Sequence, residues 1–478
     1  MKLPAPRLNR LLAILFATSV FLIAPLSRAT DKPNFIVIFA DDLGYGDLSC
    51  FGHPTIRTPN LDQMAAEGQK WTNFYVAACV CTPSRAGLLT GRLPIRNGMC
   101  SDTRRVLFPN SAGGLPAAEI TIAKFLKQHG YRTAAIGKWH LGHLPPFLPT
   151  SHGFDSYYGI PYSNDMDRIV KGSNIDLANR ENYKAYNLPL MRNTKIIERP
   201  VDQRTITRRY TEEAVKIIHQ AQEKRGQAKP YFIYLAHNLP HVPLFRSADF
   251  KDTSMAGIYG DVVQEVDWSV GQVMAAVQEA AIKSPRAQTY VIFTSDNGPW
   301  LSYKTHGGSA GLLRDGKGST WEGGMREPTA IWAWPKQVNK GIVQEMGSTL
   351  DLLPTFAGLI GARVPTDRTY DGYDLSPVLF GTGPSPRHEM FYYHGEQLFA
   401  VRSGPYKAHF KTKTSYVGQK QAVQHDPPLL YHLGHDPREK FNIAKDHPDI
   451  IEKIKRLAAR HQAGIRPVEN QLNKKIGG

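Results

Sequence analysis

Cysteine is scarce: four in 478 residues, too few for the disulfide framework that staples small secreted domains. Long apolar runs are scarcer still. Past residue 26 no stretch approaches the roughly 18 apolar residues that a membrane span needs, so stable membrane insertion is not expected. Tracts of clustered Lys and Arg interleaved with aromatics are missing, and with them the footprint of a nucleic-acid binder. Asn-x-Ser/Thr acceptors are missing too, which argues against a eukaryotic glycoprotein and towards a bacterial one. Acid is in deficit, with 42 Asp+Glu against 58 Lys+Arg and a formal charge of +16. At 41% hydrophobic and 21% charged residues the chain can bury a sizeable core, which excludes intrinsic disorder. The basic excess asks for an acidic partner without choosing one.

The one long apolar run is at the start. Lys2, Arg7 and Arg10 precede Leu11 to Leu26, and Ser27-Arg28-Ala29 offers small residues at the cleavage-defining positions. Residues 1–29 are therefore expected to be a signal peptide, and the protein to be periplasmic or secreted. Cleavage after Ala29 removes four basic residues and no acid, leaving +12.

Beyond it, short β-rich runs alternate with helical stretches, the pattern of a sheet wrapped by helices. Phe35–Phe39 is a continuous apolar run, as a strand covered on both faces requires. It ends in Asp41-Asp42. Thr133–Ile136 ends in Gly137-Lys138-Trp139-His140, Tyr231–Leu235 runs into His237 and His241, and Tyr290–Phe293 runs into Asp296-Asn297-Gly298. Helices are expected over Thr121–Gln128, Thr211–Lys224 and Gly257–Ala281. In open α/β sheets ligands bind beyond the carboxyl ends of strands. A single Asp there is commonly a turn former or cap, but Asp41, Asp42, Asp296 and Asn297 together offer oxygen ligands only, which suits Ca²⁺ or Mg²⁺.

Cys81-Thr82-Pro83-Ser84-Arg85 through Leu88-Leu89-Thr90-Gly91-Arg92 is the most informative segment. Thr82 is placed to cap a helix beginning at Pro83, with Cys81 just ahead of an anion-attracting helix N-terminus. A buried structural Cys, or Cys79-x-Cys81 as a redox or metal pair, remain open on these residues alone. The segment resembles the signature of type I sulfatases, whose Cys is oxidised to formylglycine (3-oxoalanine). The resemblance extends through Asn34–Asp42, Gly137–Gly142, Gly159–Ser163, Pro240–Pro243, Ser295–Gly298 and Leu312–Gly318. Phe399–Arg402, Tyr406–Phe410 and Leu429–Tyr431 look most like the arylsulfatase A branch.

That resemblance implies an α/β fold: a large alkaline-phosphatase-like domain (residues 30–360) with a mixed, mainly parallel sheet between helices, then a smaller C-terminal α+β domain (361–478) completing the cleft. It implies a sulfuric ester hydrolase matured by a formylglycine-generating enzyme. The Cys81 hydrate attacks sulfur and, with Asp41, Asp42, Asp296 and Asn297, binds one Ca²⁺, Mg²⁺ being the alternative. Arg85 and Lys138 hold the hydrate. His140 takes its second proton, expelling sulfate and restoring the aldehyde. His241 and Lys317 contact sulfate and help protonate the leaving oxygen, Ser163 matches a sulfate contact, and His409 falls near the substrate mouth. Sulfated polysaccharide or glycosaminoglycan fragments are the expected substrates, a lipid sulfate the second choice, with rim loops between Asp165 and Arg199 and over Lys411–Pro428. A phosphate or phosphonate monoester hydrolase on the same fold is the near rival; a catalytically dead exported glycan-binding protein is the distant one.

Overall fold

A computed structural model of the chain describes Met1 and residues 32–172, 181–221, 229–283, 288–415 and 421–477. The expected signal peptide lies, apart from Met1, outside the described residues, as do parts of both expected rim loops. No helix among the described residues is long and apolar enough to cross a membrane.

The apolar runs fold as expected into the centre of a ten-stranded sheet. Its strands are β1 (Asn34–Ala40), β2 (Gln69–Tyr75), β3 (Arg132–Gly137), β4 (Ser156–Gly159) and β5 (Leu190–Arg192). They continue with β6 (Lys195–Glu198), β7 (Tyr231–Ala236), β8 (Thr289–Ser295), β9 (Thr329–Trp334) and β10 (Gly341–Ser348). The order is β10-β2-β9-β8-β1-β7-β3-β4-β5-β6. Pairing is parallel across the centre, from β8 through β1, β7 and β3 to β4. It turns antiparallel at β9 and at the β4–β5–β6 edge.

β1 is buried along its whole length. Ile36 and Ile38 face one core with the helix Gly257–Lys283, while Phe35, Val37 and Phe39 face another with the helices Cys81–Thr90 and Ile122–Gln128. Burial on both faces explains why β1, β7 and β8 read as unbroken apolar runs. Thr121 caps the second of those helices, its hydroxyl accepting from Lys124 N at 3.0 Å. The helix expected from Thr211 instead begins at Ile206 and ends at Gln220. Ile206, Tyr210, Ala214 and Ile218 are buried at every fourth position, so packing starts it more than a turn before the Thr-Glu-Glu triplet.

A second, four-stranded antiparallel sheet follows: β11 (Glu389–His394), β12 (Gln397–Ser403), β13 (Tyr406–Thr412) and β14 (Val423–His432). The helix Pro448–Ala463 lays Ile451, Ile454 and Leu457 against it. This is the α/β fold with a C-terminal α+β part anticipated from the sequence.

Candidate active site

β1, β3, β7 and β8 deliver their polar ends to one edge of the large sheet. Asp41 and Asp42 follow β1, Lys138 and His140 follow β3, His241 follows β7, and Asp296 and Asn297 follow β8. Gly137 has φ +97, and a Cβ there would meet Ala236 O at 1.9 Å, so the turn presenting Lys138 requires glycine. Asp42 (φ 63) and His140 (φ 59) adopt the left-handed region without being glycine, strain that surrounding contacts must hold.

Asp41, Asp42, Cys81 and His241 place ligand-type atoms within 4.8 Å of one another. Lys138 Nζ donates to Asp41 Oδ2 at 2.5 Å and to Ser163 Oγ at 3.2 Å. Lys317 Nζ lies 2.7 Å from Asp42 Oδ1 and over the Trp300 ring. Arg85 donates through Nε and Nη2 to Asp296 Oδ2 (3.1 and 2.7 Å) and through Nη1 to Lys138 O. Asn297 Nδ2 donates to Asp42 Oδ1 at 2.8 Å. His241 Nε2 is 3.4 Å from Ser163 Oγ and 3.6 Å from Asp42 Oδ2. Asp41, Arg85, Lys138, Asp296 and Asn297 have no exposed surface, whereas Cys81 keeps 2%, His241 3% and Lys317 3%.

Burial works to raise the Asp41 carboxyl, yet Lys138 and the cations beside it outweigh this and hold it well below the usual carboxylate range. Asp42 is pushed up by burial and the Asp41 charge against Lys317. Asp296 is pushed up to about 7 by burial and then by Asp41. Burial pushes the Cys81 thiol up to about 12. His140 and His241 are held far below their ordinary value, first by burial and next by Lys138 and Lys317 respectively. His140 Nε2 donates to Leu107 O at 2.8 Å, leaving Nδ1 without a protein partner among the described residues.

The helix carrying Cys81 differs in detail from expectation. It runs Cys81–Thr90, with Val80 rather than Thr82 at the cap position. Thr82 donates instead to His140 O (3.0 Å) and accepts from Leu107 N (3.2 Å), so it ties the helix start to the loop carrying His140. Cys81 is thus in the first turn, still at the N-terminal end where anions are favoured. His409 does not join the cluster. It is fully buried under Trp321 with Nε2 2.7 Å from Glu439 Oε1, because its place on β13 turns it into the joint between the two sheets. His237 is a core histidine bonded to Ser269 Oγ. All four cysteines are free thiols.

Two acids escaped the sequence reading. Glu327 is fully buried, with neither carboxyl oxygen partnered among the described residues, and burial, Asp296, Asp42 and Asp47 raise it strongly. It precedes β9, which is antiparallel to β8, so the start of β9 lies at the edge where β8 ends. Asp165 is raised by burial against the nearby charge of Lys138.

Residues 33–362 match the family model described as sulfatase, and residues 385–476 that of the C-terminal region of aryl-sulfatase. The chain belongs to the sulfatase family and is an enzyme hydrolysing sulfate esters. It is 43% identical to human arylsulfatase A over 89% of this chain and 87% of that protein. It is 38% identical to the N-acetylgalactosamine-6-sulfatase of Canis lupus familiaris over 97% of this chain and 91% of that protein. Among solved structures it is similar to Ps i-CgsB in complex with k-i-k-neocarrahexaose: TM-score 0.74 and 29% identity, over 93% of this chain and 95% of that one.

Proposed function

We propose that this sulfatase removes sulfate from sulfated carbohydrates, with Cys81 matured to formylglycine and one Ca²⁺ held by Asp41, Asp42, Asp296 and Asn297. The observation that carries the reading is the convergence of Cys81, Asp41, Asp42 and His241 within 4.8 Å, with Arg85, Lys138 and Lys317 paired onto the carboxylates. A buried thiol pushed up to about 12 is inert as it stands, which favours conversion of Cys81 over a thiolate nucleophile. The aldehyde hydrate supplies one hydroxyl to attack sulfur and a second whose deprotonation re-forms the aldehyde C=O and expels sulfate from the first oxygen.

The donor set fits a hard cation. Asp41 Oδ1 and Asn297 Oδ1 are buried without a hydrogen-bond partner among the described residues, and two crowded carboxyls are raised, as expected where acids await a cation. Held there, Ca²⁺ would lower the pKa of an adjacent hydroxyl and screen charge at sulfur. Arg85 fixes Asp296 and, with Lys138, positions the residue-81 side chain. His140 accepts the second proton at Nδ1. Lys317 gives its proton to the leaving oxygen, while neutral His241 and Ser163 contact the sulfate. Each donor aimed at developing charge contributes roughly 10²–10³ in rate, by analogy with oxyanion-hole deletions.

Carbohydrate substrates are favoured by the relative named N-acetylgalactosamine-6-sulfatase and the neighbour complexed with neocarrahexaose. Export through residues 1–29 and a boundary near residue 360 complete the reading. Parallel assays on sulfate and phosphate monoesters of one alcohol test it. Sulfate release without comparable phosphate release is expected; equal or greater phosphate release would replace it with the phosphohydrolase reading.

A further inference from the structure

A cavity of about 270 Å³ abuts the segments that carry Cys81 and Lys317, with the end of β11 and the residues just past β13 on its wall. Ala78, Cys79, Val80 and Pro83, flanking Cys81, line one side, together with Gly318, the neighbour of Lys317. Arg105, His394 and Lys413 line it as well. Its size is near the roughly 300 Å³ lower end of small-molecule sites, which suits a sugar-sized group rather than a long chain.

The cavity is built rather than incidental. Gly318 N donates to Cys79 O at 2.8 Å, and Ser415 N donates to Asp315 Oδ2 at 2.8 Å, so the loop bearing Lys317 is fastened to both walls. Asp102 is the acid on the lining, and it is spoken for: its carboxylate accepts from Glu396 N and Gln397 Nε2, both at 2.8 Å. Against that one acid the lining sets two cations, Arg105 and Lys413, an excess of one positive charge. Burial, then Lys413 and Arg105, push His394 down to about 4, and the same two cations act on Cys79. Arg105 and Lys413 thus reach the cavity wall from the 100–105 loop and from just past the end of β13, with Asp102 and Asp315 as the opposing charges nearby.

We infer that this cavity is the leaving-group subsite and that Arg105 and Lys413 recognise a second anionic group, a sulfate or carboxylate, on the sugar released. This rests on the sulfatase reading and narrows it to esters flanked by another negative charge. Arg and Lys suit such a group because charge-assisted bonds to sulfate or carboxylate oxygens are strong and, with Arg, directional. His394, held neutral, adds a polar contact without competing charge.

The test compares kcat/KM for paired disaccharides sharing one scissile sulfate, one member carrying a second sulfate and the other not, with a carboxylate-bearing pair as a third arm. The parent is expected to prefer the doubly anionic member. In Arg105→Ala and Lys413→Ala, checked for folding by circular dichroism, that preference ratio should fall at least tenfold in the double variant, through KM. A parent with no preference, or a ratio unchanged in the double variant, would overturn the subsite. Sulfate release from neither member by the parent would instead remove the activity on which it rests.

Discussion

At the scale of single residues the site is a balance of three buried carboxylates against three buried cations. Lys317 carries the sharpest consequence. Lys317→Ala should lower kcat by about 10²–10³ while leaving the far-UV circular dichroism unchanged; parental turnover would refute its role at the leaving oxygen. His152 gives a pH prediction away from the chemistry. It is fully buried, neither ring nitrogen has a protein partner among the described residues, and burial pushes it down to about 3. The unfolded chain therefore takes up a proton near pH 6.5 that the native fold refuses, so stability present above that pH is lost as pH falls towards 3. His152→Phe should show a smaller drop in melting temperature between pH 7 and pH 5 than the parent. An equal drop would contradict the assignment.

Most site residues were legible at this scale because they sit in a dense local motif or directly after an apolar strand. Glu327 was not: it comes before a strand, and only the antiparallel direction of β9 brings it to the same edge. His409 misled for the converse reason, since its segment belongs to the second sheet's core rather than the mouth.

At the scale of elements, the joint between the sheets is a buried ionic network. Lys407 Nζ meets Thr320 O at 2.8 Å, Glu322 Oε1 at 2.9 Å and Glu439 Oε1 at 3.2 Å. Glu439 also accepts from Glu322 N and His409, and Arg314 donates to Glu439 O. These bonds fasten the segment holding Lys317 to β13. Removing one partner strands buried charge, so Lys407→Met should cost about 3–5 kcal/mol in urea unfolding; an unchanged midpoint would show the network to be slack. Fully buried β1, β7 and β8 were readable as apolar runs. β2 (Gln69–Tyr75) was not, because polar residues alternate along it and its burial is uneven. The start of the helix Ile206–Gln220 was hidden because a good N-terminal triplet lies inside it, and tertiary packing rather than capping sets where it begins.

At the scale of the molecule, the basic excess acquires a reason. The charge of +16, or +12 once residues 1–29 are removed, favours approach of polyanions at low salt, an attraction weakened by screening. The proposed Ca²⁺ site would act on the whole fold too. Adding Ca²⁺ at about 100 times its Kd should stabilise the protein by about 2.7 kcal/mol, read as a rise in melting temperature. Chelation should abolish turnover, with Ca²⁺ restoring it better than Zn²⁺; the opposite order would contradict an all-oxygen site. The central claim concerns one side chain, and mass spectrometry of the peptide containing Cys81, from protein made in its native host, tests it most directly. The account predicts the aldehyde or its hydrate at position 81; an intact thiol in protein that still releases sulfate would contradict it.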